Sequence, residues 1–200
     1  MSLTATSNPN AFELPPPGPV ILRCYRVIDL GTQDTTYKGK PKLQKKVLIS
    51  FELLGDERMK DGRPFMISTR YTMSTSEKSQ LRADLESWRG VPFTDEEVRS
   101  FQVAKVLGKY AYGNIIHKKS GDGTQTYANI ASLMPLPKSM PRPDPVNPDL
   151  IFDLDDRDMR IFETFGDSLK ATIMASREWA EKPASEDAPS NNPEDDDIPF

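Results

Sequence analysis

Few residues in this 200-residue chain are of types that do covalent chemistry, and their spacing argues against it. His117 is the one histidine and Cys24 the one cysteine. Together they are too few for a zinc site. His117 lies in a strand-like stretch and reads as a structural or exposed side chain; Cys24 lies in an apolar run and reads as a plain buried thiol. Gly39-Lys40 lacks the spaced glycines and the following Ser or Thr of a phosphate loop. Asp153, Asp155, Asp156 and Asp158 read as a solvated face or as helix-start acids. A divalent-metal nuclease site on those four is the weaker alternative. The expectation is a non-enzyme that needs no cofactor and no metal.

Binding chemistry is better represented. Lys38, Lys40, Lys42, Lys45 and Lys46 fall within nine residues that hold no acid, with Tyr37 beside them. Lysines are point charges and neutralise phosphates without reading sequence. Aromatic and basic residues also interleave, as Arg23-Cys24-Tyr25-Arg26, Arg70-Tyr71 and Lys109-Tyr110-Ala111-Tyr112. Lys118, Lys119 and Tyr127 extend the pattern. Unpaired bases stack on such rings for about 1–3 kcal/mol each. Tyr25, Tyr112 and Tyr127 are the expected platforms. Tyr71 shares a face with Phe65 and Ile67 and reads as core.

These side chains need strands to hold them. Val20–Leu30 reads as a first strand, followed by a polar, basic loop over residues 31–45. In 46–54, Val47, Ile49, Phe51 and Leu53 alternate with polar or opposite-facing residues, the period of a strand. Phe65–Thr72 is a third strand. A helix follows, with a capping box at Ser74 and Glu77, an apolar stripe at Leu81, Leu85 and Trp88, and Gly90 to end it. Thr94 with Glu97 opens a second, short helix. Leu107–Lys118 and Thr124–Leu133 are strands four and five around a Ser120-Gly121-Asp122-Gly123 turn. The expected fold is mainly β: a five-stranded OB-fold barrel with a helix between strands three and four. Short C-terminal helices and a disordered acidic tail complete it.

The expected organisation is a disordered lead-in over 1–18, the OB-fold domain over 19–134, a proline-rich linker over 135–149, a short helical appendage over 150–180 and the acidic tail over 181–200. Charge divides along the same line. Residues 1–140 carry 20 Lys+Arg against 14 Asp+Glu, and residues 141–200 carry 6 against 16. A basic body with an acidic tail suits a polyanion-binding domain joined to an oppositely charged segment. No signal peptide and no membrane-spanning run is read, so a soluble protein in a reducing compartment is expected.

The last six residues, Asp195-Asp196-Asp197-Ile198-Pro199-Phe200, form a docking hook. Ile198 and Phe200 suit an apolar pocket, Pro199 stiffens the approach, and the aspartates with the terminal carboxylate suit a basic rim. Residue for residue, this run resembles the acidic tip of bacterial single-stranded DNA-binding proteins. The body, over about residues 18–180, resembles the phage-encoded members of that class, in stretches such as VIDLGTQ (27–33), RYTMS (70–74), LESWRG (85–90) and YANIASLMPLP (127–137). The resemblance implies an OB-fold, sequence-independent binding of single-stranded DNA in replication, recombination and repair, and recruitment of host or phage enzymes through the tip. A homo-oligomer stays an open alternative to a monomer. So does an OB-fold adaptor that recruits replication machinery without coating DNA.

Deleting Phe200 removes both the terminal ring and the position of the carboxylate. Enzymes captured from a bacterial lysate by the full chain are expected to be lost with the deletion; equal capture by both would show that residues 195–200 are not a docking element.

Overall fold

The computed structural model describes residues 13–181; the tail from 182 onward, with its six-residue tip, lies outside them. The chain is mainly β. Strands β1 (Gly18–Tyr37), β2 (Lys40–Leu53), β3 (Met66–Thr72), β4 (Tyr110–Lys119), β5 (Thr126–Pro135) and β6 (Leu150–Phe152) form one six-stranded sheet. The order β3-β2-β1-β4-β5 is antiparallel throughout, and β6 pairs β1 in parallel at Arg26–Ile28. The sheet is not closed into a barrel: β3 and β5 are its free edges. Helix α1 (Gln80–Arg89) packs across the gap between them through Leu81, Leu85 and Trp88.

The polar stretch expected as a loop is instead a two-stranded ribbon. β1 runs on to Tyr37 and β2 starts at Lys40, so only Lys38 and Gly39 turn the chain, both at positive φ (50° and 75°). That is the backbone of a tight hairpin turn. An exposed ribbon carries no apolar alternation, which is why composition suggests a loop. The first helix also begins later than its expected cap. Ser79, not Ser74, stands at the N-cap, and the Ser74 hydroxyl bonds Ser76 instead. The Thr94–Glu97 capping box is present at α2 (Asp95–Ser100). A single 3-10 turn, Val103–Val106, leads into β4.

β1 serves two cores because it carries two bulges, one between Cys24 and Arg26 and one between Asp29 and Gly31. Each extra residue shifts which face the following side chains take. Leu22, Cys24 and Val27 enter the first core with Val47, Ile49 and Phe51 of β2 and with α1. Ile28 and Leu30 enter a second core on the opposite face, with Leu48 and Phe152. Helices α3 (Met159–Glu163), α4 (Asp167–Met174) and α5 (Arg177–Glu181) cover it with Phe162, Phe165 and Ile173. The helical appendage expected over 150–180 thus holds three short helices. Gly31 is needed at the join: a Cβ there would lie 2.5 Å from Ser176 Cβ and 2.7 Å from Leu154 Cδ1.

Residues 143–149, expected as linker, are strapped to the sheet. Glu52 is fully buried and accepts from Arg23 Nη1 (2.8 Å), the Asn147 backbone N–H (2.8 Å) and Asn147 Nδ2 (2.7 Å). Arg23 also pairs with Asp149 and donates to the Asn147 carbonyl at 3.1 Å. The Tyr110 hydroxyl donates to the Pro143 carbonyl at 2.7 Å. Removing one partner of a buried pair leaves the other uncompensated, at about 3–5 kcal/mol. Glu52→Ala is expected to destabilise the chain by that order in urea unfolding, and Glu52→Gln, which keeps the shape but turns one acceptor oxygen into an NH2 facing donors and removes the charge opposite Arg23, is expected to destabilise it as well.

Candidate nucleic-acid interface

Register decides which basic side chains stand together. β2 runs without a bulge, so Lys40, Lys42, Gln44, Lys46, Leu48, Ser50 and Glu52 share one side, the face opposite the first core. Arg70 of β3 lies across from Leu48, and Arg26 of β1 across from Ser50, on that same face. Five cations therefore line one flank. Lys46 Nζ donates to Gln44 Oε1 and Thr72 Oγ1, both at 2.7 Å. Partial burial first, and the Lys42 charge second, hold its ammonium below the usual lysine value. The Lys42 and Lys46 charges repel each other on this face. Arg26 Nε donates to Ser50 Oγ at 3.3 Å, and Ser50 Oγ meets Ser68 Oγ at 2.8 Å.

Lys45 is set apart. It points to the other side of β2 and pairs with Asp29 at 3.1 Å. Burial raises the Asp29 carboxyl above its usual value, against the Gly31 N–H and Lys45, which lower it. Lys38 sits in the hairpin turn. Of Tyr37 the backbone pairing with Lys40 is described and the side chain is not.

A second group forms on β4 and β5. Tyr112 pairs with Met134, and Lys118 with Tyr127, on the face that carries the basic flank. Tyr127 is half-exposed at 50% and Tyr112 is partly exposed. The strap and the second core lie over β1 between the two groups. Lys119 pairs with Thr126 on the opposite side of the same hairpin. Lys109 is exposed at the foot of β4, beside α1 and Arg142, away from both groups.

Two expected contacts are placed out of reach. Arg23 is 6% exposed and held by Glu52 and Asp149. Tyr25 is 7% exposed, and its hydroxyl donates to Met66 Sδ at 2.9 Å. Burial raises its phenol above the ordinary value. Tyr25 is the extra residue of the first bulge, a feature the alternation of Tyr with Arg does not announce, and Arg23 stands in register with Glu52 beneath the strap. The Ser50–Ser68 hydroxyl pair was not singled out from sequence; strict alternation along β2 is the signal that places it with the lysines.

His117 Nε2 is 2.8 Å from the Pro15 carbonyl. Cys24 is buried and its thiol is pushed up to about 12 by desolvation. Asp158 caps α3 and pairs with Arg160, and Asp153 accepts from the Asp155 N–H at 2.9 Å. Among the described residues no group of three His, Cys, Asp or Glu side chains could hold a metal ion, and no helix is long and apolar enough to cross a membrane. No protein-family model matches the chain, and no curated protein matches it.

Ring exposure separates the tyrosines. Mild tetranitromethane treatment followed by peptide mass spectrometry is expected to nitrate Tyr127 and Tyr112 while sparing Tyr25 and Tyr71, whose phenols are buried and raised. Early nitration of Tyr25 would contradict its placement beneath the bulge.

Proposed function

We propose that this chain binds single-stranded DNA without regard to sequence, acting in replication or recombination in a bacterial cytoplasm, with residues 195–200 recruiting partner enzymes. The observation that carries the reading is the row Lys40, Lys42 and Lys46 along one side of β2, with Arg70 of β3 on the same face. Such a row follows a phosphate backbone, and the crowding of Lys42 against Lys46 is relieved by an incoming anion. On the far flank, Tyr112 and Tyr127 offer rings for bases beside Lys118.

Topology supports the same reading. Five strands in the order β3-β2-β1-β4-β5, with a helix between β3 and β4 set across the open side, are the parts of a partly open OB-fold. In that fold the β1–β2 and β4–β5 connections flank the ligand; here Lys38 lies in the first, Lys40 and Lys42 just beyond it on β2, and Lys118 near the end of β4 before the second. The basic row suits a polyanion held by charge, and no catalytic step is part of this reading.

Titration with oligo-dT at several salt concentrations tests it. Affinity is expected to fall with salt, with a log–log slope of roughly −0.7 per phosphate neutralised. Replacing Lys40, Lys42 and Lys46 by alanine is expected to flatten the slope by roughly 2. Lys45→Ala, which removes a side chain already paired on the other face, is expected to leave it unchanged. Tyr127→Ala is expected to weaken binding by about 1–3 kcal/mol at every salt concentration. An unchanged slope in the triple variant sinks the assignment of the β2–β3 flank.

A further inference from the structure

On the helix side of the sheet, away from the basic flank, the surface opens into a cavity of about 510 Å³ at the C-terminal end of α1. Its floor is apolar, built from Leu85, Trp88, Phe101 and Leu136. Its rim is cationic, with Arg89, Lys105, Lys109 and Arg142 against the single acid Glu97.

The charges on the rim are not equal. Glu97 Oε1 accepts from Arg89 at 2.8 Å, and its Oε2 accepts from the Thr94 N–H at 2.9 Å, so that pair is spent on closing α2 onto α1. Lys105 and Lys109 make no ion pair among the described residues. The Arg142 guanidinium lies 5.9 Å from the Tyr110 ring centre and makes no ion pair among the described residues. Among the described residues, three cations without an ion pair thus surround an apolar opening.

The polar groups inside are already used. Trp88 Nε1 donates to the Tyr110 carbonyl at 2.8 Å, and the Tyr110 hydroxyl to Pro143. A nucleobase entering here would leave its own edge groups unpaired, at the cost of desolvating them. An apolar side chain leaves nothing unpaired. The walls are also set in advance: α1 ends on Gly90, where a Cβ would meet Pro135 Cγ at 2.8 Å, and α2 is held by its capping box. A preformed wall lowers the ordering cost of binding.

We propose that this cavity receives a short acidic segment of a partner protein, one aromatic or branched side chain filling it while carboxylates meet Lys105, Lys109 and Arg142. Charge complementarity fixes the sign of the partner, and the apolar floor requires the single large side chain. The site does not rest on the nucleic-acid reading, and both faces can be occupied together.

The test is fluorescence anisotropy on the full chain, with a panel of labelled, acetylated acidic hexapeptides carrying Phe, Trp, Leu or Ile at a central position. A glycine-centred peptide and the hexapeptide of residues 195–200 complete the panel. Binding is expected for the apolar-centred peptides, weakened by salt, and absent for the glycine peptide. Lys105→Glu with Arg142→Glu, both exposed side chains, is expected to weaken it roughly tenfold with an unchanged circular dichroism spectrum. Saturating oligo-dT is expected to leave the peptide bound. Equal affinity for the charge-reversed variant, displacement by oligo-dT, or no binding across the panel overturns the proposal. Binding of the 195–200 peptide alone assigns the cavity to this chain's own tail and overturns it as well.

Discussion

Glu52 is fully buried, and a carboxylate in that position must be met by donors on every side. Arg23, from the neighbouring strand, supplies one, and the backbone and side chain of Asn147 supply two more. Against apolar residues of equal volume such a pair gains little or nothing in stability. What it fixes is position. A register slip of β1 on β2, or a strap laid elsewhere, leaves a buried charge without its partner. The path of residues 143–149, the pairing of β6 on β1 and the second core follow from where these two side chains meet.

β1 is long enough to serve both cores because its bulges change face twice. Before the first bulge Leu22 and Cys24 point towards α1; after it Val27 stays with that core while Ile28 and Leu30 point towards α3–α5. The first bulge also buries Tyr25 and leaves Arg26 beside Ser50. The basic flank is therefore a product of β2, whose regular alternation keeps Lys40, Lys42 and Lys46 together, more than of the bent strand beside it.

Regular periodicity was the legible part of the sequence. β2, β3, the stripe on α1 and the Thr94 capping box are all where alternation or spacing places them. The lysine ribbon was not, because a hairpin solvated on both faces has no apolar face to mark it. The N-cap at Ser79 competed with a better-spaced pair at Ser74 and Glu77, and tertiary packing of α1 over the sheet gap chose between them. β6 is three residues long and takes its place only because β4 leaves the edge of β1 free beyond Arg23. At the interface, charge was legible as composition but not as direction: five lysines in one run divide between two faces, and only register tells which.

Order along the chain gives the strap a further meaning. Every antiparallel pairing of the sheet lies within residues 18–135, whereas Arg23 meets Asn147 and Asp149 at separations of 124 and 126 residues. Contacts so distant in sequence close late. During synthesis the five strands can pair while Glu52 holds one of its donors and waits for the rest. A chain interrupted before Asn147 thus forms a sheet whose most deeply placed carboxylate is under-coordinated, and the maturity of the fold is registered by electrostatics at a point far from the place where translation stopped.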